Sequence, residues 1–247
     1  MQYYHGSPVA GITALVPPPG KTLYLTNNRA YALFYIRDLD VNWVTCGVAP
    51  DGAVHYDEQF PGQLRALYAG RSGWLYICEA DALFVQGTSP WIVTCVHTVP
   101  VTSAEHIPDA HAAILREIGL GAVRVKRYED KTPAQKQDIF EMMVHHIFKN
   151  RLLSAETPKA RFMEQCFPES WRYAAQNAAN AAEYITRWEA ERLSSIDRKS
   201  AKPKTMVFYS HEFKPKNSGA AAAASFFFFF TFSPQHAPRK RAMGVHL

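Results

Sequence analysis

Cysteine is scarce and scattered in this sequence. The four residues, Cys46, Cys78, Cys95 and Cys166, lie 32, 17 and 71 positions apart. No pair has the close spacing of a zinc knuckle, so no metal site is expected, and a 247-residue chain that is 47% apolar needs no disulfide framework to build a core. Several loops that mark common chemistries are also missing. There is no GxxxxGK phosphate cradle, no GxGxxG fingerprint, no HExxH helix, no GxSxG elbow and no EF-hand loop. The apolar stretch from Gly219 to Phe232 has 14 residues, short of the roughly 20 that cross a bilayer core as a helix. The opening MQYYHGS carries neither the basic segment nor the apolar run of a secretory leader. These absences lead to the expectation of a reduced, cytoplasmic protein with no membrane partner.

The charge balance first points elsewhere. With 27 Lys and Arg against 22 Asp and Glu, the net charge is +5, which ordinarily suggests a polyanionic partner. Residues 201–247, however, hold seven basic residues and one acid, a net of +6, which leaves 20 basic and 21 acidic residues, a net of −1, on residues 1–200. The basicity therefore belongs to a tail that contains the homopolymers Ala220–Ala224 and Phe226–Phe230. Nucleic-acid binding by the folded part loses its support, and residues 200–247 are expected to be a poorly ordered, low-complexity extension.

The first hundred residues are rich in β-formers broken by turns. Strands are expected at Gln2–His5, Thr22–Thr26, Val41–Val48, Ala53–Tyr56, Gly73–Cys78 and Trp91–Val101. Ala49-Pro50-Asp51-Gly52 reads as the turn of a hairpin. Asn27 or Asn28 can cap a helix over Arg29–Ile36, and Gln63–Ala69 reads as another short helix. From Ser103 the pattern turns helical: apolar residues at Ile107, Ala110, Ile114 and Ile118 suggest a helix over Ala104–Ile118, followed by a strand at Val123–Tyr128. Thr132 and Pro133 open an amphipathic helix with Ile139, Met142, Met143, His146 and Ile147 on one side. Pro158–Phe167 and a long Pro168–Arg198 segment complete a helical lobe. The class is α+β, with a mixed lobe over residues 1–101, a helical lobe over 102–199 and the tail over 200–247.

Few clusters offer chemistry. His145 and His146 are adjacent and cannot share a helix face, and Cys95 and His97 lie side by side on one strand. What remains is an N-terminal constellation: Tyr3-Tyr4-His5-Gly6-Ser7 ending one strand, Leu23-Tyr24-Leu25-Thr26 forming the next, then a helix bearing Tyr31 and Tyr35. This order resembles the ADP-ribosyltransferase family of the diphtheria-toxin and poly(ADP-ribose) polymerase type. Members of that family open on a strand ending in Tyr-His-Gly-Thr or Tyr-His-Gly-Ser and continue with a tyrosine-bearing strand and an aromatic-bearing helix. The likeness covers Gln2–Ile36 well and extends loosely to Val101.

The resemblance implies a split-sheet fold and NAD as co-substrate. Breaking the nicotinamide–ribose bond builds positive charge on the sugar, so a site must fix the ribose, clamp the leaving ring and stabilise the cation. His5 would bond a ribose hydroxyl, and backbone groups of Gly6, with Ser7 beside it, would hold the nicotinamide amide without an obstructing Cβ. Tyr24 would stack on the ring, with Tyr35 or Tyr31 closing the other side. The family's carboxylate is left open between Glu58 and Glu79, with Asp81, Glu105 or no acid at all as the remaining alternatives; Glu105 reads as a first-turn helix residue. The connection from His5 to Tyr24 is shorter than in many members. The expected function is transfer of ADP-ribose from NAD to an unidentified acceptor. Alternatives are a non-catalytic nucleotide- or partner-binding protein of the same fold, and an interaction protein working through Thr132–Arg198.

Overall fold

The computed structural model describes residues 1–37, 43–87 and 89–197. Its framework is a six-stranded sheet in the order β10-β6-β1-β3-β8-β7, with every neighbouring pair antiparallel. The strands are β1 (Gln2–Ser7), β3 (Leu23–Thr26), β6 (Gly73–Glu79), β7 (Val85–Gln86), β8 (Ile92–Cys95) and β10 (Ser103–Ile107). A three-stranded sheet, β11-β5-β4, is built from β4 (Cys46–Val48), β5 (Val54–Asp57) and β11 (Val123–Lys126). Its β11–β5 pair is parallel and its β4–β5 pair antiparallel. A two-stranded ribbon joins β2 (Ala14–Leu15) to β9 (Val99–Pro100).

Alternation along β1 sorts its side chains onto two cores. Tyr3 belongs with Leu23, Leu25, Cys78, Val93 and Cys95 in one. Tyr4 packs on the other, where Leu75 meets the helices α1 (Arg29–Leu33), α2 (Gln63–Tyr68) and α3 (Ala110–Gly119) and the apolar face of the three-stranded sheet. A third core joins α4 (Pro133–Lys149), α5 (Pro158–Cys166), α6 (Pro168–Gln176) and α7 (Ala181–Asp197), with Trp43 and Phe60 inserted among Phe162 and Phe167. Mixed α+β content with a helical C-terminal region is thus the architecture. Among the described residues no helix is long and apolar enough to cross a membrane, and the four cysteines form no disulfide.

Several boundaries differ from the sequence reading. Ser103–Ile107 is a strand, not the start of a helix. Pro108 disfavours helical geometry at Ile107, and Asp109 begins α3 by accepting the Ala112 amide at 2.9 Å. Ile107 and Ile114 enter the same core, one from a strand and one from a helix, which imitates helical spacing. The boundary expected at Val101 therefore does not divide the sheets: β10 and β11 complete them, and the helical region begins at Pro133. Helix α1 stops at Leu33, because the Phe34 and Ile36 amides turn back to carbonyls three residues earlier. The run Trp91–Val101 divides where Val99 leaves the large sheet to pair with Leu15. The long helix from Pro168 breaks at Asn177, whose amide closes α6, and a 3-10 turn over Ala178–Asn180 precedes α7. Residues 41 and 42 of one expected strand, and the tail over 200–247, lie outside the described residues.

Candidate functional site

Strands β1 and β6 pair along all of Gln2–Ser7, and β3 and β8 along all of Leu23–Thr26. Between these two pairs, β1 and β3 share a single register pair, Tyr4 with Thr26. Past Tyr4 the strands part, and a cleft of about 250 Å³, counted to its open mouth, occupies the gap. Tyr4, His5 and Gly6 line it from β1, Tyr24 and Thr26 from β3. Tyr31, Ala32 and Tyr35 form the wall contributed by α1 and the turn after it.

His5 spans the parting. Its Nδ1 lies 3.4 Å from the Tyr24 carbonyl oxygen, so that nitrogen carries the proton it donates and Nε2 is the acceptor. The ring is only 4% exposed. Burial pushes its pKa down to about 4, with the hydrogen bond to Tyr24 opposing. At neutral pH His5 is therefore an uncharged imidazole, able to take part in hydrogen bonds but a weak proton acceptor.

The phenols on the wall are also neutral. Tyr35 donates its hydroxyl to Tyr31 at 2.9 Å, the rings meet edge to face with centroids 5.4 Å apart, and burial raises the pKa of both. Asn28, not Asn27, caps α1 by accepting the Tyr31 amide at 2.9 Å. Gly6 is indispensable for a reason different from the expected one. A Cβ there would stand 2.0 Å from the Ala32 carbonyl oxygen, so the missing side chain admits the backbone of α1 and not a ligand. Ser7 lies outside the lining: its Oγ accepts the Val9 amide at 3.2 Å as the chain leaves the strand.

None of the four candidate acids lines the cleft. Glu79 is exposed at the far end of β6, opposite Gln2 and 3.6 Å from the N-terminal amine. Glu58 is fully buried, where it accepts the Leu64 amide at 2.9 Å and the Tyr128 amide at 3.4 Å; it joins α2 to the segment after β11. Asp81 accepts the Leu83 amide and lies 3.3 Å from His97. Glu105 is on β10, opposite Leu75, which is in turn opposite Gly6. Its partner is Arg29 of α1, at 2.6 Å.

The structure thus brings together His5, Gly6, Tyr24, Tyr31 and Tyr35 and leaves Ser7, Glu58 and Glu79 elsewhere. The lining also includes Tyr4 and Thr26, which belong to the two strand motifs but carry no role in the expected site. Tyr4 shares the face of Gly6 by strand alternation, and Thr26 sits two residues before the helix cap, so both were within reach of the pattern. Among the described residues no cluster of His, Cys, Asp or Glu is arranged to hold a metal ion. No family model, curated protein or solved structure matches the chain.

Proposed function

We propose that the chain is an NAD-binding protein of the ADP-ribosyltransferase type, with its cleft between β1 and β3 taking the nicotinamide–ribose end of NAD and ADP-ribose passing to an acceptor as nicotinamide leaves. The observation that carries this reading is the neutral His5 imidazole, suspended from the Tyr24 carbonyl where two strands part between phenol walls. In this reading Nε2 accepts a ribose hydroxyl, while the ring faces of Tyr24 and Tyr35 receive the pyridinium, a flat cation suited to aromatic walls. The split-sheet fold implied by the resemblance is part of the same proposal.

A second reading has an observation of its own. No carboxylate lines the cleft among the described residues, and a site without one has no fixed negative charge with which to stabilise the sugar cation. In that case the protein binds NAD, or a nucleotide like it, without turnover. One experiment separates the two: purified protein is incubated with NAD, bound NAD is measured by calorimetry and free nicotinamide by chromatography. Release that falls at least tenfold in a folded His5→Ala variant supports transfer. Binding without release supports the second reading, and equal release by both proteins removes His5 from the mechanism.

A further inference from the structure

Helix α1 walls the cleft, yet it has only five residues, too few to persist on local propensity. Three tethers hold it. At its start Asn28 sends Nδ2 to the Gly52 carbonyl at 2.8 Å, reaching the β4–β5 turn. Just past its end the Phe34 carbonyl accepts the Tyr68 hydroxyl at 3.1 Å. The third tether is ionic. Arg29 donates Nε and Nη2 to the two oxygens of Glu105 at 3.3 and 2.6 Å, and Nη1 to Glu117 of α3 at 2.5 Å.

This grip is directed at the cleft. Glu105, Leu75 and Gly6 stand in one cross-strand row over β10, β6 and β1. Gly6 is also where the Ala32 carbonyl of α1 rests directly on the sheet. The guanidinium therefore pulls α1 toward the row whose last member is its own bearing point. Arg29 also lies within electrostatic reach of Tyr4, which lines the opening. A planar fork bound to both oxygens of one carboxylate fixes direction as well as distance, which an ammonium cannot do.

We propose that Arg29 is a positioning residue: held by Glu105 and Glu117, it seats α1 on β1 at Gly6 and thereby sets the spacing between His5 and the tyrosine wall. The proposal rests on the NAD reading only for what fills the cleft. Its test therefore has one readout without ligand and one with it. In Arg29→Met and in Glu105→Gln, amide exchange of Tyr31 to Phe34 is expected to rise about tenfold, with the β6 amides unchanged. NAD affinity is expected to fall by a similar factor. Arg29→Lys should recover only part of the protection, because an ammonium keeps the charge but not the fork.

Unchanged α1 exchange in both single variants overturns the proposal. Loss of nicotinamide release in Glu105→Gln with exchange and NAD affinity intact also overturns it, because Glu105 would then act in the chemistry itself. If exchange responds as stated while the parent chain binds no NAD, the brace stands and the NAD reading falls.

Discussion

Burial of His5 should make stability depend on pH in a specific way. In the unfolded chain an imidazole takes its proton near pH 6.5, whereas in the folded protein burial holds it off until about pH 4. Between those values the unfolded state binds a proton that the folded state refuses, so stability falls as the solution is acidified. Above pH 6.5 the ring is neutral in both states and imposes no cost. Below pH 4 it is charged in both, and the loss is complete. The gap between the two values, at ~1.36 kcal/mol per pH unit, amounts to about 3 kcal/mol. Other groups also contribute to the pH dependence of stability, so the informative quantity is a difference. Urea denaturation of the parent chain and of His5→Gln, followed from pH 7.5 to pH 3.5, should show the parent losing about 3 kcal/mol more than the variant. Glutamine does not titrate, and any packing penalty it brings is constant across the series. A difference that stays flat from pH 7 to pH 4 would refute the reasoning, because the imidazole would then be reaching solvent or a compensating charge.

Other perturbations have equally definite outcomes. Gly6→Ala places a methyl 2.0 Å from the Ala32 carbonyl and should cost about 3 kcal/mol or more by overpacking. Gly70→Ala, at φ +69° in open space, should cost only about 1 kcal/mol; denaturation midpoints of the two variants decide it. Glu58→Gln should lower stability by about 1–3 kcal/mol, because a buried carboxylate bonded to two backbone amides is weakened. NAD affinity should be unchanged by that substitution, since Glu58 is outside the cleft. Thr132→Ala removes one half of a capping box with Gln135 and should cost about 1 kcal/mol, seen as a lower melting temperature.

The local signals in the sequence were strong where a single residue decides the backbone. Asn28, Thr132 and Pro133 start helices where cap chemistry puts them, and the Pro50-Asp51-Gly52 turn joins a true antiparallel pair. Tyr24, Tyr31 and Tyr35 meet His5 because β3 and α1 follow each other without a long connection. The strand at Ser103–Ile107 was hidden because Ile107, Ala110 and Ile114 share one core at helical spacing, and Pro108 was the overlooked counter-signal. The true use of Gly6 was not legible either. A glycine beside a histidine reads as room for a ligand, and only the fold shows that the Ala32 carbonyl fills that room. For the same reason Glu58 and Glu79 could not be ranked: their distance from His5 depends on strand register, which composition does not encode.

The pairing of β1 with β6 has a consequence for how the cleft comes into being. Residues 2–7 leave the ribosome well before residues 73–79, their continuous partner, and β6 itself is flanked by residues 103–107. Closing so long a loop is costly before the sheet rewards it, which makes β1 a late arrival in folding. His5 and the parting beside it should therefore form only after most of the large sheet is in place. A nascent or truncated chain lacking β6 would carry the histidine motif intact and have no cleft at all.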